Sequence, residues 1–190
     1  MTAGGDGRSA RERMLAGDLY IADDPELDRL SRRARTLAAR FNATELSGGD
    51  GAGELLRELL GAVGEDVDVR PPLHVDYGEH ITIGPRTFVN FGLTALDVAP
   101  IRIGADCQIG PNVQLLTPTH PLDPQQRRDK FEAAQPITIG DNVWLGGGVI
   151  VCPGVTIGDD AVIGAGSVVT RDVPERVVAA GAPARVLRSI

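Results

Sequence analysis

Aromatic residues are scarce in this chain of 190 residues, because one Trp, two Tyr and four Phe make up only 4% of it. An interior built without them must be filled by Val, Ile, Leu and Ala, which suits a narrow core. Basic residues are also in deficit: 19 Lys and Arg stand against 26 Asp and Glu, giving a formal net charge of −7. This balance argues against a nucleic-acid surface, since phosphate binding needs a basic patch.

Long apolar runs and abundant cysteine are missing as well. No stretch of about 18 apolar residues occurs, so we expect no membrane span. No signal peptide precedes the first polar helix, which makes the cytoplasm the expected compartment. Two cysteines, Cys107 and Cys152, lie on distant repeats. We expect buried free thiols there rather than a disulfide or a metal pair.

A repeat of six residues runs through 139–174, which reads IGDNVW, LGGGVI, VCPGVT, IGDDAV, IGAGSV and VTRDVP. An aliphatic residue opens every hexad, and a period of six matches neither a helix nor an alternating strand. Hexapeptide periods are typical of parallel β-helices, whose repeats bury their apolar faces by stacking on their neighbours. Three hexads per coil place residues 18 apart above one another, which predicts the stacked pairs Ile139/Ile157, Leu145/Ile163 and Val151/Val169.

Helical signals precede the repeats, within residues 1–65. Ser9 has the spacing of a capping box with Glu12 and predicts a short helix that runs towards Tyr20. Asp24 followed by Pro25 predicts the start of a second helix. Apolar residues then recur at helical spacing and form one stripe. The members of this stripe are Leu27, Leu30, Ala34, Leu37, Ala38 and Phe41.

Coils of hexads are predicted over residues 66–178, after a Gly-rich linker at 47–53 and a third helix at 54–63. The hexad phase slips by two residues near Pro100, and over residues 121–136 it would place Pro and Arg in the interior. We therefore predict that 121–136 protrudes from the coils as a loop, and long loops of this kind are usually functional. A C-terminal tail is expected over residues 179–190.

Three histidines are candidates for chemistry: His74, His80 and His120. His120 lies where a regular coil passes into the protruding loop, and a neutral imidazole there is able to accept a proton from a hydroxyl. A plain surface histidine is the alternative. A zinc site built from three histidines, as in the carbonic anhydrases that share hexapeptide repeats, is disfavoured because the three do not cluster on the regular coils.

A run of glycines at 146–148 follows Trp144. The run is either a tight corner or a source of backbone N–H donors for an oxyanion. Trp144 occupies a corner position of its hexad and is predicted to face outward, at a subunit contact or against a stacked ligand. Arg171, Arg185 and Arg188 form a late basic cluster, which is either solvated or a site for the phosphates of a nucleotide-type cofactor.

The chain resembles the maltose/galactoside O-acetyltransferase family over about residues 11–188. Besides GDLY near Leu19, the most specific matches are VDYG at 75–78, VNFG at 89–92, THP at 119–121 and VAAGAPAR at 178–185. The resemblance implies a mainly β fold: a left-handed parallel β-helix of hexapeptide repeats with an N-terminal α-helical segment and a long loop protruding from the coils. It also implies a homotrimer with active sites between adjacent subunits.

The resemblance further implies that acetyl-CoA donates its acetyl group directly to a hydroxyl of a sugar or similar small acceptor, with His120 as the general base and no metal. Matching acceptor-binding positions are Asp76, Asn90, Asp97 and Glu132. Matching CoA-binding positions are Gly147, Ala165, Thr170, Arg171, Arg185 and Arg188. A serine of some members is replaced by Gly147.

An Asp/Arg pair that contacts the acceptor in galactoside-type members falls near Ala22 and Ser31 in this sequence. The acceptor therefore stays open, and an antibiotic hydroxyl is an alternative to a sugar. Two further functions compete with acetyl transfer: a zinc hydratase on the same fold, and a non-catalytic scaffold of hexapeptide repeats.

Overall fold

A computed structural model describes residues 7–44 and 51–190. Most of the predicted Gly-rich linker lies outside the described residues. In the described part, three helices precede the coils: α1 (Ala10–Ala16), α2 (Pro25–Asn42) and α3 (Ala52–Leu59). None of the described helices is long and apolar enough to cross a membrane.

Both predicted helix starts are confirmed. The Ser9 side chain accepts a hydrogen bond from the backbone of Glu12, whose own side chain accepts one from the backbone of Ser9. Asp24 accepts hydrogen bonds from the two backbone N–H groups at positions 26 and 27. These caps satisfy N–H groups that have no partner within the helix. α1 ends before Gly17, and Tyr20 begins a short strand, β1 (Tyr20–Ile21).

All six members of the predicted apolar stripe of α2 are buried. The third helix differs from its prediction, because it ends at Leu59 and Leu60 is extended. The following residues form strand β2 (Ala62–Val63), which pairs in parallel with residues 82 and 83. The coils therefore begin at residue 62 rather than 66. Gly61 permits this early start, since a Cβ atom there would collide with the carbonyl of Glu79.

The coils form a triangular solenoid with three parallel sheets. The first face consists of β2 and the strands β5 (Ile81–Ile83), β8 (Ile101–Ile103), β13 (Ile137–Ile139) and β16 (Thr156–Ile157). The second face consists of β3 (Asp68–Val69), β6 (Phe88–Val89), β9 (Gln108–Ile109), β14 (Trp144–Leu145), β17 (Val162–Ile163) and β19 (Val177–Gly181). The third face consists of β4 (Leu73–Val75), β7 (Leu93–Leu96), β10 (Gln114–Leu116), β15 (Ile150–Val151) and β18 (Val168–Val169).

The stacking predicted from the hexads is confirmed. Its three pairs are in register: Ile139 with Ile157, Leu145 with Ile163 and Val151 with Val169. Each of these side chains is at most 1% exposed. Earlier coils are longer by two residues, since Ile81 pairs with Ile101, which agrees with the slip of phase near Pro100.

The segment 121–136 leaves the coils as predicted, but it has structure of its own. Strand β11 (Pro118–Thr119) leads into it, followed by helix α4 (Pro124–Arg128) and strand β12 (Phe131–Ala134). β12 pairs antiparallel with both β11 and β1. The loop is therefore tied to the N-terminal segment across a small three-stranded sheet, before the chain re-enters the solenoid at β13.

The prediction of a tail from residue 179 is wrong. β19 stacks in parallel on β17, and strand β20 (Ala184–Ser189) folds back antiparallel on β19. Val177 and Ala179 are buried, so this end of the chain extends the second face and closes the solenoid. Cys107 and Cys152 are free thiols, as expected, although Cys152 is only half-buried.

Candidate active site

A groove of about 480 Å³ runs along the outside of the second face. It brings together three of the predicted site residues: Asn90, Gly147 and Ala165. Trp144 also lines it and is 55% exposed. The outward direction predicted for Trp144 is confirmed, but the residue lies within strand β14 rather than at a corner. The full lining is Phe88, Asn90, Gln108, Ile109, Gly110, Pro111, Trp144, Gly146, Gly147, Val162, Ile163, Gly164 and Ala165.

One wall of the groove is the corner between the second and third faces, where backbone replaces side chains. A Cβ atom on Gly146 would lie 2.6 Å from the nitrogen of Ala165, so this position requires glycine. Gly166 donates a hydrogen bond to the carbonyl of Gly147 at 2.9 Å. Within the described chain, the N–H groups of Gly147 and Ala165 have no acceptor. The glycine run is therefore a tight corner and also a source of free donors.

Asn90 lies at the same corner, one coil before the loop leaves the solenoid. Its Oδ1 accepts a hydrogen bond from the backbone of Phe91 at 2.8 Å, and its own N–H donates to the carbonyl of Ile109 at 2.9 Å. No donor in the described part of the protein reaches the carbonyl oxygen of Asn90. This carbonyl is therefore able to accept a hydrogen bond from a group outside the chain.

A second candidate region lies at the corner between the third and first faces, and we call it the acidic pocket: Tyr20, Asp76, Tyr77, Asp97 and Glu132. Asp97 is completely buried. Its Oδ1 accepts from the backbone N–H groups of Asp76 and Tyr77 at 3.1 and 2.9 Å, and its Oδ2 accepts from the backbone of His80 at 3.2 Å. Asp97 therefore holds the turn that carries Asp76, instead of facing a ligand as the sequence suggested.

Carboxylates crowd the acidic pocket. Burial, and then the carboxylates of Asp97 and Glu132, raise the pKa of Asp76 to about 6. Burial and the neighbouring Asp76 carboxylate raise the pKa of Tyr77 to about 12. Burial and Glu132 raise the pKa of Tyr20 well above its usual range. Both tyrosine hydroxyls consequently remain protonated and able to donate hydrogen bonds at neutral pH.

The three histidines lie in different surroundings. His120 follows β11 at the corner between the third and first faces and is exposed, with no hydrogen bond to any described residue. His80 is nearly buried, and its Nδ1 donates to the carbonyl of Asp97 at 2.7 Å. His74 is exposed on β4. Among residues 7–44 and 51–190, no three His, Cys, Asp or Glu side chains are placed to hold a metal ion.

The residues predicted to bind CoA lie in three places. Gly147 and Ala165 line the groove, whereas Thr170 and Arg171 follow β18 at the corner that also carries the loop. Arg185 and Arg188 are exposed on β20, at the C-terminal end of the second face. These two guanidinium groups form no ion pair with any described carboxylate, which leaves them available to an anion.

Sequence reasoning missed the two tyrosines of the acidic pocket. Tyr77 stands beside Asp76 in the VDYG motif, and Tyr20 closes GDLY, so both motifs carried a signal. The sequence predicted only a helix running towards Tyr20. The hydroxyl of Tyr20 instead donates to Glu132 Oε2 at 3.2 Å, across 112 positions of the chain.

Two family profiles match this chain. The profile described as the maltose acetyltransferase hexapeptide capping motif matches residues 13–64. The profile described as bacterial transferase hexapeptide, with six repeats, matches residues 136–171. The first covers the helical segment and the second covers the most regular coils.

Curated relatives are similar over nearly the whole chain. Nodulation protein L of Rhizobium meliloti (strain 1021) is 49% identical over 182 residues, which cover 94% of this chain and 98% of the relative. The galactoside O-acetyltransferase of Escherichia coli (strain K12) is 43% identical over 179 residues, which cover 94% of this chain and 88% of that enzyme.

Solved structures agree with this relationship. A maltose O-acetyltransferase from Clostridium difficile 630 superposes with a TM-score of 0.95 at 43% identity, covering 96% of this chain and 98% of the other. A galactoside acetyltransferase in complex with coenzyme A gives 0.93 at 42% identity, covering 96% and 92%. A hexapeptide-repeat acetyltransferase from Vibrio cholerae O1 biovar eltor, complexed with acetyl coenzyme A, gives 0.88 at 40%, covering 96% and 98%.

Solenoids of hexapeptide repeats are left-handed, so the expected winding of the coils is confirmed. The helical cap, the coils and the identity to characterised members over more than nine-tenths of the sequence all agree. This chain belongs to the maltose/galactoside O-acetyltransferase family and is an acetyltransferase.

Proposed function

We propose that the protein transfers the acetyl group of acetyl-CoA to a hydroxyl of a sugar or similar small acceptor, as a homotrimer with His120 as the general base. The relatives named for galactoside and maltose acetylation support the acceptor class. Two solved relatives that hold coenzyme A or acetyl coenzyme A support the donor. Use of acetyl-CoA also favours the cytoplasm as the working compartment.

One observation carries the proposal: within a single chain, the candidate base His120 lies apart from the groove. His120 is at one corner of the prism and the groove is beside another, with β10 between them. Five residues, from Val113 to Thr117, form this side of the prism, and in extended conformation they span about 13 Å. A second copy of the chain completes each site when it packs the corner that carries His120 and the protruding loop against the groove. In a cyclic trimer this contact occurs three times.

The chemistry needs one proton acceptor and one set of oxyanion donors. Nε2 of His120 takes the proton of the acceptor hydroxyl as the oxygen attacks the thioester carbonyl carbon. The unpaired N–H group of Gly147 stabilises the negative charge that develops on the carbonyl oxygen. The C–S bond then breaks, and the imidazolium returns its proton to the CoA thiolate. The products are an acetyl ester and free CoA, with no acyl-enzyme.

The acceptor is bound between the two corners. Asp76 and Glu132 offer carboxylate oxygens to its hydroxyl groups, while Asp97 acts indirectly by holding the turn that carries Asp76. Asn90 contributes through its backbone carbonyl, which accepts a hydrogen bond from Nδ1 of the partner's imidazole and fixes the tautomer in which Nε2 is the base.

CoA lies along the groove. The N–H of Ala165 pairs with the amide groups of its extended pantetheine arm, and Arg185 and Arg188 pair with phosphates, for which guanidinium geometry is suited. Thr170 and Arg171 stand at the loop-bearing corner, so they reach the same cofactor from the adjacent subunit. The CoA-binding residues of one site thus come from two subunits, in the same way as His120 and the groove.

The test is His120→Ala, assayed for CoA release with a panel of glucosides, galactosides, maltose, amino sugars and antibiotics. We expect turnover to fall by about 10²- to 10⁴-fold, the usual contribution of general base catalysis, while binding of CoA persists. His74→Ala, another exposed histidine, is the matched control and should retain turnover. Near-native turnover of His120→Ala removes the base assignment, and absence of CoA binding by the wild type favours a scaffold.

A further inference from the structure

The Tyr20 side chain is the largest of those that are fully buried, and it ends in a polar group. The ring is 1% exposed and packs among apolar residues of the N-terminal segment and the loop corner. Strand register puts Tyr20 directly opposite Glu132, next to the pair Ile21 and Phe131. A buried phenol needs a hydrogen-bond partner, and this one donates to Glu132 Oε2 at 3.2 Å.

Glu132 depends on that hydroxyl. Among the described residues, Tyr20 is the only hydrogen-bond donor to the Glu132 carboxylate, and no Lys, Arg or His forms an ion pair with it. The strand that carries Glu132 sits on a protruding loop, whose helix α4 has no buried residue. β11 pairs with Ala133 and Ala134 and anchors this strand to the solenoid, but among the described residues the Glu132 carboxylate itself is held only by Tyr20 of β1.

The surroundings make this support important. Asp76 lies close enough to both Glu132 and Asp97 for their charges to interact, and like charges push a side chain away from a shared site. Tyr20 opposes this repulsion with a hydrogen bond to a charged group, which is stronger than a hydrogen bond between neutral groups. Without it, the carboxylate is free to turn away from Asp76 towards water.

We infer that Tyr20 is a positioning residue for the acceptor: its hydroxyl holds the Glu132 carboxylate beside Asp76, where both receive hydroxyl groups of the acceptor. This inference rests on the proposed function. It assigns a specific task to the helical capping segment, which completes the acceptor site through strand β1 in addition to covering the end of the coils.

The test is Tyr20→Phe, which keeps the buried ring and removes only the hydroxyl. We expect the KM for the best sugar acceptor to rise about 5- to 20-fold, and the KM for acetyl-CoA to change by less than about twofold. In a Glu132→Gln background, the same substitution should have little further effect on the acceptor KM, because the carboxylate it positions is gone.

Thr87→Val is the matched control for the loss of a buried hydroxyl. Thr87 Oγ1 donates to the carbonyl of Gly104 at 2.8 Å and accepts from the backbone of Cys107 at 3.0 Å, away from the acidic pocket. We expect it to lower thermal stability without changing the acceptor KM. The inference is overturned if Tyr20→Phe leaves both constants unchanged, raises them equally, or adds its full effect to that of Glu132→Gln. Absence of acetyl transfer by the wild type would instead refute the proposed function.

Discussion

The groove and the acidic pocket are built in opposite ways. The groove is made by regular coils, and its free polar groups belong to the backbone: the N–H groups of Gly147 and Ala165 and the carbonyl of Asn90. The acidic pocket is made where regularity ends, from a turn, a protruding loop and the N-terminal strand β1. Repetition supplies a fixed wall, and departures from it supply the side chains that we propose to bind and activate the acceptor.

Gly146→Ala is expected to have the largest effect, and it acts on the regular coils that form the groove. The new Cβ atom would lie 2.6 Å from a backbone nitrogen of the next coil, which is unable to move aside without breaking the stack. We expect the free energy of unfolding to fall by about 3 kcal/mol or more. Urea denaturation of the purified variant measures it.

Gly147→Ala is its matched control, because the added Cβ atom there meets Pro111 only at 3.4 Å, an ordinary contact. We expect a loss of less than about 1 kcal/mol. Equal losses for the two neighbouring glycines would show that close coil stacking does not define this corner.

Replacing both Arg185 and Arg188 by Ala tests whether the cofactor binds along the groove. Neither guanidinium is neutralised by a described carboxylate, so a phosphate is a suitable partner for both. We expect the KM for acetyl-CoA to rise about tenfold, with the acceptor KM within about twofold of the wild type. Steady-state kinetics with each substrate varied separately gives both constants.

Arg40→Ala, which removes an exposed arginine from the last turn of α2, should leave both constants unchanged. If the double variant raised the acceptor KM as much as that of acetyl-CoA, the cofactor would not lie where we place it.

Asp76→Asn tests whether the carboxylates of the acidic pocket repel one another in the folded protein. The pKa of Asp76 is raised to about 6 from 3.8, so the folded state binds more protons than the unfolded chain between these values. Its contribution to the free energy of unfolding therefore falls as pH rises through that window and is constant above it. After allowance for solvent screening, we expect wild type to lose about 1 kcal/mol more than Asp76→Asn between pH 4 and pH 7.

Urea unfolding at both pH values measures this difference. Asp23→Asn, at an exposed carboxyl, is the control and should lose as much stability as the wild type. Parallel losses for wild type and Asp76→Asn would mean that the Asp76 carboxyl is not crowded in the folded protein.

What could be predicted from the sequence follows the same division. The stacked pair Ile139 and Ile157 was predictable because the six-residue repeat that creates it runs without interruption between the two residues. The end of the third helix was not, since Ala62 and Val63 become a strand only through pairing with residues 20 positions later. The bond between Tyr20 and Glu132 spans most of the chain and depends on how the loop folds back. Contacts that follow from a local repeat can be predicted from the sequence, whereas long-range contacts between irregular segments cannot.

The most direct test of a site completed between two chains is to mix two inactive variants. His120→Ala lacks the base, and Gly147→Phe blocks the groove; each alone should be inactive. Unfolded together and refolded, they form mixed trimers in which some sites combine an intact base with an intact groove. Random assembly predicts recovery of about a quarter of wild-type activity. Mixed trimers that remain as inactive as the separate variants would show that both halves of the site come from one chain, contrary to this account.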